Sequence, residues 1–81
     1  MVQVQKQHQL HINIEIDSRH YQVNVERMTG SQLLALAGAA AGNQLFRETP
    51  GPEEDQAVQP AQVVELHSGE KFYTVPVGNF G

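Results

Sequence analysis

TGSQLLALAGAAAG, residues 29–42, combines a helix start, a helical period and a helix stop. Thr29 is a favourable N-cap, since its hydroxyl can accept a hydrogen bond from a first-turn amide, and Gln32 completes a capping-box pattern. Glycine tolerates the left-handed backbone that ends many helices, so the helix is predicted to end at Gly42 or already at Gly38. The i, i+3, i+4, i+7 spacing predicts one apolar stripe, formed by Leu33, Leu36, Ala37 and Ala40.

Two strands are predicted before this helix. Residues 10–17 alternate strictly between apolar and polar side chains, residues 17–20 indicate a short turn, and residues 21–26 resume the alternation. The apolar positions are Leu10, Ile12, Ile14 and Ile16, then Tyr21, Val23 and Val25. An antiparallel hairpin follows from this pattern, and a single helix can bury its stripe only by packing on such strands.

The segment after the helix predicts a third strand at residues 43–48, where Leu45 and Phe46 are adjacent rather than alternating. Residues 49–61 contain three of the four prolines and an acidic cluster, which together indicate an exposed loop. The acidic cluster consists of Glu53, Glu54 and Asp55.

A second hairpin is predicted near the end of the chain. Its strands are residues 62–67 and 71–75, joined by a short turn. The turn length leaves open whether Val64 or Leu66 lies opposite Phe72.

The chain of 81 residues is predicted to hold one domain. Residues 1–9 are predicted to be a flexible N-terminal lead-in, the alternative being a polar extension of the first strand, and residues 10–76 are predicted to be the domain. Residues 77–81 are predicted to be a flexible tail after Pro76, which cannot donate a ladder hydrogen bond. Two strands, a helix and three returning strands indicate an α+β fold of the ubiquitin-like β-grasp type, with a mixed sheet of four to five strands packed on one helix. Another small α+β roll fits the same pattern.

Charge and composition narrow the classes of partner. The net charge is −4 and the five basic residues are scattered, so the sequence lacks the basic patch that nucleic-acid binding requires. The longest apolar run is about half of what a bilayer crossing needs, and the start of the chain lacks a leader pattern, so we expect no membrane partner. There is no cysteine, which is compatible with a cytoplasmic location.

Candidate chemical sites in the body of the domain are weak, and we expect neither a metal, a cofactor nor catalysis. The four histidines lack metal-ligand spacing, and the acidic cluster lacks the alternating ligands of a calcium loop. No serine or threonine has a partnered base. The nearly uncharged helix offers Leu34, Ala35 and Ala41 as partner contacts, the alternative being that they pack under the long loop.

Three segments resemble bacterial ubiquitin-like proteins of the multiubiquitin type. They are RMTGSQLLALAG at residues 27–38, QLF at residues 44–46 and VELHSGEKFYTVP at residues 64–76. The resemblance extends over residues 10–76. Two departures are that this chain has one copy of the domain, where many relatives have several, and that it ends Asn-Phe-Gly instead of with paired glycines.

The resemblance implies a protein modifier that is joined to a target through its C-terminus. An ATP-dependent activating enzyme would adenylate Gly81, a conjugating enzyme would carry the thioester, and a deubiquitinase-like protease would act on the product. The tail that these enzymes bind would comprise Val77, Gly78, Asn79 and Phe80. Some relatives suggest a role in defence against phage.

Three alternatives to the modifier remain open. One is a β-grasp adaptor that binds without covalent linkage, and another is a sulfur carrier with a C-terminal thiocarboxylate on Gly81. The third is a tail without function, because many domains end in a few loose residues and glycine is a common residue.

Overall fold

The computed structural model describes residues 11–77, which form seven strands and one helix. The elements in chain order are β1 Ile12–Ile16, β2 Arg19–Val23, β3 Arg27–Thr29, α1 Gly30–Leu36, β4 Gln44–Arg47, β5 Gln56–Val58, β6 Val63–Glu65 and β7 Lys71–Val75. A five-stranded mixed sheet has the order β2-β1-β7-β4-β5, and β3 pairs with β6 in a small second sheet. The predicted α+β, ubiquitin-like β-grasp is confirmed. The predicted lead-in at residues 1–9 lies outside the described residues.

The first hairpin is confirmed, with a tighter turn than predicted. β1 and β2 are antiparallel, and their last pair is Ile16 with Arg19. Asp17 and Ser18 alone form the turn, with φ of 52° and 69°, the two left-handed positions that a type I′ turn requires. Val25 was predicted to continue the buried face, but β2 ends at Val23 and Val25 is 43% exposed.

The helix starts as predicted and ends at the earlier glycine. The Gln32 amide donates to Thr29 Oγ1 at 3.1 Å, and the Thr29 amide donates to Gln32 Oε1 at 2.8 Å, which completes the capping box. Gly38 has φ of 70°, and the Ala39 amide bonds the Leu34 carbonyl oxygen at 2.9 Å. This 6→1 bond is that of a Schellman motif, so α1 has stopped before Gly42.

The shorter helix changes which residues are buried. Leu33 and Leu34 are buried, whereas Leu36 and Ala37 are half-buried and Ala40 is exposed. The predicted stripe is therefore wrong at Ala40, because that residue lies beyond the end of α1. The proposed partner contact through Leu34 is also wrong, since Leu34 belongs to the core. Ala35 and Ala41 are exposed.

The core is one cluster shared by the helix and both sheets. Its largest fully buried side chains are Phe72, Ile14, Ile16, Leu33 and Leu45. Leu34, Val58, Val64 and Leu66 complete the cluster of buried side chains.

The segment predicted to be an exposed loop, residues 49–61, contains a strand. β5 pairs antiparallel with β4, with Phe46 opposite Ala57, and Val58 is buried. The prolines and acidic residues lie mostly before this three-residue strand, so the composition of the loop concealed it.

The predicted second hairpin is wrong in its pairing. β6 pairs with β3, with Met28 opposite Val64, whereas β7 pairs with β1 and β4. Phe72 therefore lies opposite Ile16 and Arg47, and neither Val64 nor Leu66 is its partner. Both residues reach the common core from outside the large sheet.

The start of α1 rests on the connection between β5 and β6. The Gly30 amide donates to the Gln62 carbonyl oxygen at 3.1 Å, and the Ser31 amide donates to the Pro60 carbonyl oxygen at 3.0 Å. These bonds satisfy two of the first-turn amides that a helix leaves unpaired. The contact is close enough that a Cβ on Gly30 would lie 2.3 Å from the Gln59 carbonyl oxygen.

Candidate functional site

The predicted tail leaves the domain from the middle strand of the large sheet. β7 is parallel to β1 on one side and antiparallel to β4 on the other. It ends at Val75, as expected from the missing amide hydrogen of Pro76. Val77 follows and is 57% exposed. The predicted conjugation site Gly81 and the tail residues Gly78, Asn79 and Phe80 lie outside the described residues.

Asp17 holds the end of β7 with both of its carboxylate oxygens. The Thr74 amide donates to Asp17 Oδ1 at 2.9 Å, and the Thr74 hydroxyl donates to Asp17 Oδ2 at 2.6 Å. Thr74 lies two residues before Pro76, so this contact holds the base of the tail. We call Asp17 and Thr74 the tail clamp.

The clamp continues a ladder that the β1–β2 turn interrupts. The Glu15 amide donates to the Glu70 carbonyl oxygen at 2.9 Å, and the Asp17 amide donates to the Phe72 carbonyl oxygen at 3.0 Å. In an evenly spaced parallel ladder the next donor on β7 is the Thr74 amide. The chain reverses at Asp17, whose φ is 52°, and the side-chain carboxylate accepts that bond.

A second aspartate holds the neighbouring residue of β7. Asp55 Oδ2 accepts from the Tyr73 hydroxyl at 2.7 Å, and Asp55 Oδ1 accepts from the Thr49 amide at 2.8 Å. Tyr73 also stacks on Phe46, with ring centroids 5.4 Å apart. Asp55 therefore connects the proline-rich loop to the central strand, instead of only keeping the loop solvated.

These hydrogen bonds shift two pKa values in opposite directions. The bond from the Thr49 amide, and then that from the Tyr73 hydroxyl, lower the pKa of Asp55 below 3.8. The bond to Asp55, followed by desolvation, raises the pKa of Tyr73 above 10.0. Both shifts favour the pair in which Asp55 is ionised and Tyr73 is protonated.

The Asp55 contact is expected to stabilise the protein over a defined pH range. A carboxylate whose pKa is lowered by folding contributes fully above its unfolded-state pKa of about 3.9, and this contribution disappears as the pH falls through the folded-state value. The raised pKa of Tyr73 makes its contribution complete below about pH 10, and that contribution is lost as the pH rises through the folded-state value.

Melting temperatures of wild type and Asp55→Asn between pH 2 and 8 test this expectation. The two proteins should differ at neutral pH and converge in acid. Glu54→Gln, which removes an exposed carboxylate from the same loop, is the control and should follow the wild-type profile. A difference between wild type and Asp55→Asn that stays constant down to pH 2 would contradict the assignment.

The opposite end of β7 is held by an ion pair. Arg47 on β4 pairs with Glu70, the residue before β7, and Arg47 Nη2 also donates to the Glu65 carbonyl oxygen at 3.2 Å. Glu70 Oε1 accepts from the His67 amide at 3.1 Å. The central strand is thus fixed to its surroundings at its start and at its end.

Other chemistry has little support within residues 11–77. That part of the chain has no group of three or more histidine, aspartate or glutamate side chains placed to hold a metal ion. His20 Nε2 lies 3.9 Å from Glu15 Oε1, and His67 Nδ1 lies 3.9 Å from Glu70 Oε2; both histidines are exposed and both glutamates are half-buried. No helix within residues 11–77 is long and apolar enough to span a membrane.

A protein-family model for multiubiquitin matches residues 12–76, more than half of the chain. The chain belongs to the multiubiquitin family. Searches of curated proteins and of solved structures found no match.

The multiubiquitin match begins at the first residue of β1 and ends at Pro76. It includes the tail clamp and the Asp55 contact, and it stops where the predicted tail starts. The sequence patterns placed Asp17 at the polar end of the first strand and in the following turn, and Asp55 in an acidic cluster. Thr74 was one available sign of the clamp. It is a polar residue in β7, most of whose side chains are apolar, and such a hydroxyl usually has a hydrogen-bond partner.

Proposed function

We propose that this multiubiquitin protein is a modifier that is activated at Gly81 and joined covalently to a target protein. The observation that carries the proposal is the placement of the base of the tail: the last strand is fixed in the middle of the sheet, and the chain then continues through the exposed Val77. Membership in the multiubiquitin family supports the same function. The protein itself would have no catalytic activity.

The chemistry takes place on enzymes that bind the tail. The Gly81 carboxylate attacks the α-phosphorus of ATP on an activating enzyme, which forms the acyl adenylate and releases pyrophosphate. A cysteine thiolate of the enzyme attacks the acyl carbon and AMP leaves, so a thioester forms. A cysteine thiolate of the conjugating enzyme then attacks the acyl carbon, so a second thioester forms and the thiolate of the activating enzyme leaves. A target amine attacks this thioester and loses a proton, which forms the amide bond and releases the thiol of the conjugating enzyme. A deubiquitinase-like protease would hydrolyse the product.

Glycine suits the reacting position because it has no Cβ to hinder attack at the neighbouring carbonyl, and because it adopts unusual backbone angles easily. Val77, Gly78, Asn79 and Phe80 would bind the enzymes in an extended form, partly through main-chain hydrogen bonds as in strand addition. Phe80 would need a pocket in each enzyme. ATP-dependent activation is compatible with a cytoplasmic location.

The decisive experiment mixes the purified protein with ATP and a candidate activating enzyme. We expect a higher-mass product on a non-reducing gel that disappears on reduction, and its complete loss when Gly81 is deleted. Gly42→Ala is the control, because a Cβ at Gly42 has no atom within 4 Å, and it should form the product like wild type. A Gly81-deleted protein that still forms the thioester would refute the proposal.

A non-covalent adaptor is the second candidate, and the outer face of the large sheet favours it. Phe46 and Tyr73 stack there and are only half-buried, next to the exposed Ala57 and Val75. An adaptor would keep its cellular function when Gly81 is deleted and lose it when charges on the sheet are reversed. A modifier requires Gly81.

A further inference from the structure

We propose that Asp17 is a positioning residue for the activation of the tail: it holds Thr74 so that the enzyme receives a tail whose base is already ordered. This inference rests on the proposed function. Asp17 does not contact the reacting carboxylate, and its effect would pass through the tail clamp.

The end of β7 has a strand partner on one side only. On the β4 side, Thr74 lies opposite Leu45 and Val75 lies opposite Gln44, so pairing continues to the end of the strand. On the other side, β1 ends at Ile16 opposite Phe72. The two bonds from Thr74 to Asp17 replace the missing half of the ladder.

Both clamp bonds are short for their type, at 2.9 Å from the Thr74 amide and 2.6 Å from the Thr74 hydroxyl, and both are accepted by the carboxylate of Asp17. The turn also fixes the backbone that carries the carboxylate. Only Asp17 and Ser18 lie between the paired residues Ile16 and Arg19, and both have the left-handed conformation. The acceptor is therefore oriented before an enzyme arrives.

Without the clamp, the end of β7 would be paired on the β4 side alone, and the enzyme would have to fix its backbone on binding. The free energy of fixing the backbone of one residue corresponds to roughly a tenfold change in affinity. We therefore expect the KM for the modifier to rise about tenfold when the clamp is lost. The kcat should change less than about twofold, since the reacting atoms are untouched.

The turn offers a clean set of variants. Asp17→Gly removes both clamp bonds while keeping the left-handed backbone, which glycine adopts easily. Ser18→Gly introduces the same flexibility at the other turn position and leaves the clamp intact. Asp17→Asn is the conservative variant, because asparagine tolerates this backbone. Its Oδ1 can accept from the Thr74 amide, and its Nδ2 can donate to the Thr74 hydroxyl oxygen.

The experiment measures pyrophosphate exchange by the activating enzyme as a function of modifier concentration, at a temperature where all variants are folded. Hydrogen exchange of the Thr74 amide is followed in parallel. We expect Asp17→Gly to raise the KM about tenfold and to speed exchange at Thr74. We expect Ser18→Gly to match wild type in both measurements, and Asp17→Asn to recover most of the KM.

The outcomes separate this inference from the proposed function. An unchanged KM for Asp17→Gly, with wild type active, would overturn the role of Asp17 and leave the modifier function standing. An equal rise in KM for Ser18→Gly would overturn it too, because the effect would then come from the turn. A wild-type protein that does not react at all would overturn both.

Discussion

Gly30→Ala is expected to destabilise the domain by about 3 kcal/mol, the upper part of the range for overpacking a tight contact. A Cβ there would lie 2.3 Å from the Gln59 carbonyl oxygen and 3.2 Å from Val58 Cγ1. The nearer atom belongs to the main chain, so it cannot move aside by a change of rotamer. The contact also contains the bonds from the Gly30 and Ser31 amides, so relief by movement would weaken the helix start.

The sign of this prediction is informative because local preference opposes it. In a helix interior, alanine is favoured over glycine by about 1 kcal/mol. Urea unfolding of Gly30→Ala, followed by circular dichroism, decides between the two effects. Gly42→Ala is the control, since its Cβ would be in open space, and it should change stability by less than about 0.5 kcal/mol. A Gly30→Ala protein at least as stable as wild type would show that the close packing at α1 is wrong.

Phe72→Ala is expected to cost about 4 kcal/mol, because it removes a fully buried aromatic side chain and leaves a cavity. Phe72 is 2% exposed and lies on the central strand, opposite Ile16 on one side and Arg47 on the other. A domain of this size has a total stability of about 4–12 kcal/mol. Much of the variant would be unfolded at 37 °C if wild type lies near the lower limit.

Phe46→Ala is the matched control for Phe72→Ala. Phe46 is a phenylalanine on the neighbouring strand, but it is half-buried on the outer face, where it stacks on Tyr73. Its loss should cost about 1–2 kcal/mol, which includes about 0.5–1.5 kcal/mol for the aromatic pair. Chemical denaturation of both variants gives the comparison. Equal losses would mean that the two faces of the sheet are not distinct, contrary to the described core.

The features that were predicted correctly depend on residues close together in the sequence. The alternation within Ile12–Ile16, the capping box at Thr29 and the stop at Pro76 each involve a few neighbouring side chains. The sequence also predicted a glycine at the end of α1, with Gly38 and Gly42 as the two candidates. The helix ends in a Schellman motif at Gly38, where the Gly38 amide donates to the Ala35 carbonyl oxygen and the Ala39 amide donates to the Leu34 carbonyl oxygen.

The features that sequence reasoning missed depend on long-range pairing. Adjacent segments rich in strand formers, residues 62–67 and 71–75, favoured a hairpin. β6 pairs with β3 instead, next to the close contact at Gly30 where the β5–β6 connection lies against the helix start. A single sequence does not reveal a main-chain contact of this kind.

In the candidate site, Gly81 and tail residues 78–80 stay predictions from the family resemblance, because they lie outside the described residues. The two aspartates could not be found in this way, because Asp17 is 57 residues from Thr74 and Asp55 is 18 from Tyr73. Each was assigned a local role as a turn or surface residue.

The central place of β7 has a consequence during synthesis. The ribosome makes this strand after every other strand of the large sheet, yet β7 joins β1 to β4. Until it emerges, β1–β2 and β4–β5 remain two separate pairs whose apolar faces lack their common partner. We therefore expect nascent chains that stop before Lys71 to stay unfolded and open to proteases, so that only chains carrying the final strand become compact.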